Sequence, residues 1–216
     1  MKRIYRILIV LCLPLLWCGP VEAQHAGPYI GALAGGNVLV PTKGSDDLGT
    51  LQLTFKPGFL GSAVIGWDFE PGNPAGEGRV ELEYTRRSNQ LDRAKFVEGS
   101  FKGGGTETAD SLLVNFFGVF HENRPYSPYA GLGVGAVRID ASNLQITGQP
   151  VSRGSAVVFA YQLGAGIDYA LTDHLNLDFG YRLFSSASAT FSEASGKKIK
   201  TDYTSHSALF GVRLGF

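Results

Sequence analysis

Cysteine is almost missing from this 216-residue sequence: the two present, Cys12 and Cys18, both fall within the first 23 residues. From residue 24 onward there is no disulfide, no zinc–thiolate site and no cysteine nucleophile to consider. An excess of positive charge is missing too. Of 19 basic and 19 acidic residues, Lys2, Arg3, Arg6 and Glu22 lie in the first 23, which leaves 16 and 18. That balance gives no basic face of the kind nucleic acid requires. Long apolar runs are absent: the longest, Ile7 to Trp17, has 11 residues, and a bilayer-spanning helix needs about 20. Histidine is sparse, and His25, His121, His174 and His206 have no metal-ligand spacing between them. No cofactor is expected. Glycine, by contrast, is abundant at 29 residues and aromatics reach 12%, a pairing that argues against helices, whose interiors glycine weakens.

The start of the chain has three parts. Lys2, Arg3 and Arg6 precede the short apolar run, and Val21-Glu22-Ala23 closes it with small residues at −3 and −1 of a cut after Ala23. This is the layout of a cleaved secretory signal peptide, so residues 1–23 are expected to be removed and 24–216 to form one domain. Lipidation at Cys18 is disfavoured because the large Trp17 precedes it, where a small residue is wanted.

What fills the rest is alternation with period two. Phe59, Gly61, Ala63, Ile65, Trp67 and Phe69 share one parity, against Ser62, Gly66 and Asp68. From Arg79 to Thr85, Val80, Leu82 and Tyr84 oppose Glu81, Glu83 and Thr85. Tyr161 to Tyr169, Leu175 to Leu183 and Ala208 to Phe216 repeat the pattern. Three weaker segments, Pro28 to Val38, Ser111 to Phe120 and Pro128 to Ile139, bring the expected strands to eight. The links alternate in length. Glu70–Gly78, His121–Ser127 and Thr172–His174 are the shorter ones; Leu39–Lys56, Ser88–Thr108, Asp140–Ser155 and Ser185–Thr204 are long. Transmembrane barrels show this rhythm of short periplasmic turns and long outer loops. The Gly, Ser, Lys and Asp content of the long links predicts mobile loops.

The polar parity is unlike an ordinary solvated sheet face. Glu81, Glu83, Asp168, Asp178, Arg182 and Arg213 alternate with Gly164, Gly166, Gly180, Gly211 and Gly215. Opposite charges among glycines suit a narrow lumen, where glycine leaves room and charges pair; Glu81 or Glu83 is expected to meet Arg182 or Arg213. On the apolar parity, Trp67, Phe69, Phe120, Tyr169 and Phe216 mark strand ends as an interfacial girdle would. Tyr29 and Tyr129 have the inward parity instead. Lipid offers the backbone no hydrogen bonds, and only closure of the sheet removes its edges. The expected fold is therefore all-β: an eight-stranded antiparallel up-and-down transmembrane β-barrel, with an interior that side chains just fill.

The Pro28-Tyr29-Ile30-Gly31 and Pro128-Tyr129-Ala130-Gly131 strand openings, the stretch Leu175 to Arg182 and the closing Ser207 to Phe216 resemble the OmpA/opacity-type outer-membrane barrels. The resemblance covers essentially all of the chain after residue 23. It implies a Gram-negative outer-membrane location, surrounding lipid and lipopolysaccharide, and a role in surface interaction. It also implies a C-terminal signal for the barrel-assembly machinery, carried by Phe210, Val212, Leu214 and Phe216. Host or cell-surface ligands of four outer loops follow from it as candidate partners. The alternatives are a narrow porin for small solutes and, more remotely, a lipid A-modifying enzyme.

An enzyme of that kind needs a nucleophile and a base within reach of each other. Ser205-His206-Ser207 opens the last strand, but neighbouring strand residues point to opposite faces, which separates His206 from Ser207 as base and nucleophile. Gly131-Leu132-Gly133-Val134-Gly135 has no helix after it to hold a phosphate. Gly103-Gly104-Gly105 lies in a long link with no Lys-Ser/Thr following. No catalytic or metal residues are expected.

Overall fold

The computed structural model describes residues 26–46, 49–69, 77–96, 99–120, 125–141, 144–150, 152–193 and 198–216. Residues 1–23, the expected leader, lie outside them, as does most of the Glu70–Gly78 link and the first part of His121–Ser127. Eight long strands dominate: β1 (Gly27–Leu39), β2 (Gly58–Asp68), β3 (Gly78–Phe96), β4 (Thr106–Val119), β5 (Tyr126–Asp140), β6 (Ser155–Ala170), β7 (Leu175–Ser186) and β8 (Thr204–Gly215). Each pairs antiparallel with its sequence neighbours, and β1 pairs with β8 from Tyr29↔Gly215 to Leu39↔Ser205. That last ladder closes the barrel and leaves no long strand with a free edge.

The alternation sets the faces. Ile30, Ile65, Leu82, Val114, Leu132, Leu163, Phe179 and Phe210 point out; Glu81, Asn115, Gln162, Asp178 and Arg213 are buried inside. An apolar exterior round a polar interior inverts a soluble protein and fits a lipid environment. Trp67, Phe120 and Phe216 are exposed at the end where the short turns lie, as a girdle requires. Phe69 and Tyr169 are only partly exposed there. The Thr172–His174 turn is tight: Thr172 Oγ1 accepts the amide of Leu175 at 3.0 Å, and Leu171 N–H donates to Leu175 O at 2.9 Å.

The long links depart from the expectation of mobile loops. β3 runs for 19 residues, well beyond the roughly 9–11 that cross a bilayer. Short strands extend the wall elsewhere: Thr42–Asp46 and Gly49–Phe55 after β1, Gly99–Gly104 after β3, and Ala189–Glu193 and Lys198–Thr201 after β7. Burial explains the difference. Leu39, Leu53, Phe55, Leu91, Ala94, Ile139, Ala141, Leu144, Ile146, Phe184 and Tyr203 form one packed apolar cluster inside this outer half. Composition reported the glycines and charges of these links; it hid the alternate apolar residues between them.

Candidate functional site

The lumen is filled in three layers, and the first is ionic. Arg79 reaches across from β3: its Nε lies 2.9 Å from Glu81 Oε1, its Nη1 contacts Asp168, and its Nη2 lies 3.5 Å from Asp178 Oδ2. Arg213 on β8 contacts Asp168 as well, and lies 3.8 Å from Asp68 and 3.9 Å from Asp178. Strand register explains the need for both. Asp168 and Asp178 are directly opposite on β6 and β7, a like-charge pair that is unfavourable on its own. Two guanidiniums from other walls compensate it.

Two tyrosines frame this floor. Tyr29 donates to Glu81 Oε1 at 2.6 Å, and Tyr129 donates to Asp178 Oδ1 at 2.7 Å. Their rings carry the arginines: Arg79 Cζ sits 4.1 Å from the Tyr129 centroid, and Arg213 Cζ 5.0 Å from that of Tyr29, distances suited to cation–π attraction. The glycines make the space. A Cβ on Gly66 would collide with the Tyr29 ring, and one on Gly166 would collide with the Tyr129 hydroxyl. The repeated Pro-Tyr-x-Gly opening is thus one solution used twice: an inward tyrosine that bonds a carboxylate, shields an arginine and lies against glycine on a neighbouring strand.

Above the floor lies a polar layer round Glu83. Its carboxylate accepts from Thr85 Oγ1 at 2.6 Å, Asn115 Nδ2 at 2.8 Å and Gln162 Nε2 at 3.1 Å. Next come Asn37, Asn89 and Ser207, linked at 2.6 and 2.8 Å. Arg87 donates to Ser111 at 2.8 Å and stacks 4.0 Å over the Phe184 ring. The apolar cluster of the outer half forms the roof.

Glu81, Glu83, Asp168, Asp178, Arg182 and Arg213 all lie in the lumen, each at most 3% exposed. Their pairing differs from the expected one. Glu81 meets Arg79, not Arg182 or Arg213. Glu83 is held by hydroxyl and amide donors. Arg182 donates to the Tyr129 hydroxyl at 3.2 Å and to the Tyr181 carbonyl at 3.3 Å. Register is the reason: Arg213 sits low on β8, level with Asp68, Asp168 and Asp178. Arg79 and Asp68 were missed as partners, although Arg79 shares the odd parity of Glu81 and Glu83, and Asp68 already fell on the inward parity of its strand. Phe210, Val212 and Leu214 on β8 and Phe216 just after it face out in one exposed row. Ser207 is buried inside and His206 is outside, bonded to the Tyr181 hydroxyl at 2.6 Å. The two are not brought together.

Comparison with known proteins agrees with this architecture. Residues 8–216 match the family described as outer membrane protein beta-barrel domain. The chain is 27% identical to outer membrane protein PagN of Salmonella typhimurium over 226 residues, covering 89% of this chain and 87% of PagN. Among solved structures it resembles OprG from Pseudomonas aeruginosa, with a TM-score of 0.59, 18% identity, and coverage of 91% of this chain and 100% of OprG. It also resembles Neisserial surface protein A, with a TM-score of 0.55, 19% identity, and coverage of 88% and 98%. Matched over nearly all its length and closed into eight strands, the chain belongs to the outer membrane beta-barrel family and is an integral protein of the Gram-negative outer membrane.

Proposed function

We propose that this protein is a surface-interaction barrel, adhesin-like, whose outer half presents fixed hairpins to an anionic surface on another cell. The observation that carries this reading is the packed apolar core of the outer half, which holds the strand extensions on a rigid base. Loops on a rigid scaffold are where binding groups are usually mounted. The β3 extension offers such groups. Arg93 and Lys102 are directly opposite across the ladder, Lys95 lies two residues on, and all three are exposed. Among the described residues no carboxylate pairs with them. Like charges face to face oppose pairing, and an anionic partner would relieve that cost. The filled lumen supports the same reading against a solute pore. The separation of His206 from Ser207 gives no support to lipid A hydrolysis.

Residues 1–23 are read as the cleaved leader, and the outward row ending at Phe216 as the signal for the assembly machinery. Lipopolysaccharide is the natural neighbour of the outer rim.

The test is expression in a non-adherent Gram-negative strain. Cells displaying the protein should bind epithelial monolayers above the vector control, and Arg93→Glu with Lys102→Glu should remove most of that binding at unchanged surface level. In the same cells the intact mass should begin at Gln24, and Phe216→Ala should lower the folded amount in the outer membrane. Binding equal to the control, or unaffected by the double substitution, would sink the proposal.

A further inference from the structure

Among the described residues of the eight long strands, fixed charge on the outward face is confined to β3, β4 and β5. Arg86 on β3, Asp110 on β4 and Arg138 on β5 are consecutive partners across the ladder, Arg86↔Asp110 and Asp110↔Arg138. All three belong to the outward parity. Arg86 Nη1 lies 3.6 Å from Asp110 Oδ1, with 61% of its side chain exposed. The Tyr84 hydroxyl donates to the same carboxylate oxygen at 2.8 Å. Arg138 has no ion-pair partner among the described residues and is exposed; beside it in the ladder stands Val157, 70% exposed. Below the row the wall is apolar: Leu112 and Phe159 are both exposed. On the opposite wall the outward positions Val38, Tyr181 and His206 carry no permanent charge, and neither does Phe59 on the adjacent β2.

We propose that Arg86 and Arg138 form a docking site for the phosphate of an outer-leaflet glycolipid, whose acyl chains lie on Leu112, Val157 and Phe159. The proposal extends the lipopolysaccharide part of the functional reading and does not depend on the hairpins. Three physical points support it. A guanidinium among lipid-facing apolar residues is unfavourable unless it reaches the headgroup level and meets an anion. Within the row, one carboxylate between two arginines leaves a net positive charge, while Asp140, two residues outward from Arg138, has a partner of its own; the two guanidiniums spring from strands about 10 Å apart, two ladder spacings, a gap one phosphate can bridge. Finally, the charged row borders an apolar belt, so one molecule with an anionic head and acyl tails satisfies both.

The experiment is native mass spectrometry of the refolded protein in detergent, titrated with diphosphoryl lipid A, with its dephosphorylated form, and with phosphatidylglycerol. Arg86→Gln/Arg138→Gln should weaken diphosphoryl lipid A binding about tenfold, in line with the loss of two charge-assisted contacts. Asp110→Asn, which removes the competing carboxylate, should strengthen it. Asp173→Asn, exposed in the Thr172–His174 turn at the other end of the barrel, should leave it unchanged. Heat-modifiable gel mobility verifies that each variant is folded. The site is overturned if the double variant binds as wild type does, or if lipid A without phosphate binds equally well. Equal retention of phosphatidylglycerol overturns it too, since the glycolipid would then have no preference. Failure here leaves the hairpin reading standing, because the adhesion assay reports on that separately.

Discussion

Removing Arg79 would withdraw a guanidinium from three carboxylates at once, Glu81, Asp168 and Asp178, and leave Arg213 to compensate the last two. Breaking a buried ion pair from one side costs roughly 3–5 kcal/mol, more than the pair contributes against a neutral replacement, because the abandoned charge stays in the dry interior. Arg79→Met should therefore lower the urea midpoint of unfolding from lipid vesicles markedly, and Asp168→Asn in the same chain should recover part of the loss. An unchanged midpoint for Arg79→Met would mean that the floor is hydrated and the ion pairs are dispensable. At this scale the sequence was legible as far as parity reaches. It put Glu81, Asp178 and Arg213 on one face; Arg79, the first residue of the Arg79–Thr85 segment, shares the parity of Glu81 but was not singled out. Which carboxylate meets which arginine was not legible, since partners such as Arg79 and Asp168 are 89 residues apart and depend on register round the whole barrel.

Among the elements, the eight strands were visible because sustained two-residue alternation is the mark of a strand with one apolar and one polar face. Their outward continuation was not. In the link after β1, Leu53 and Phe55 alternate with Gln52 and Thr54, but so short a run among Gly, Ser and Asp looks like a turn. Only packing against Leu91, Ile139 and Phe184 reveals it as wall. Leu91, 1% exposed, lies in that cluster. Leu91→Ala should leave a cavity costing roughly 2–5 kcal/mol, felt first by the outer half. Limited proteolysis of intact cells should then cut the β3–β4 extension faster, with the membrane-embedded strands still protected. Equal cutting of variant and wild type would show that the roof does not hold the hairpins in place.

Taken as a whole molecule, the barrel has an interior packed with side chains among the described residues: an ionic floor, a polar middle and an apolar roof. The proposed function therefore places contact with other molecules on its outer half and its lipid-facing rim. Fold and location follow from the residue pattern, the closed sheet and the family match together. The part of the function read from surface charge rests on Arg93, Lys95, Lys102, Arg86 and Arg138. None of these stood out in sequence, because a cation in a link or at a strand end is ordinary until its cross-strand neighbour is known. The most direct test of the closed lumen is single-channel conductance of the refolded protein in a planar bilayer. A filled interior predicts silence, or rare small flickers, with no change on Glu83→Gln. A steady open level, shifted by Glu83→Gln or Arg182→Gln, would mean that ions pass through the lumen and that the protein is a pore.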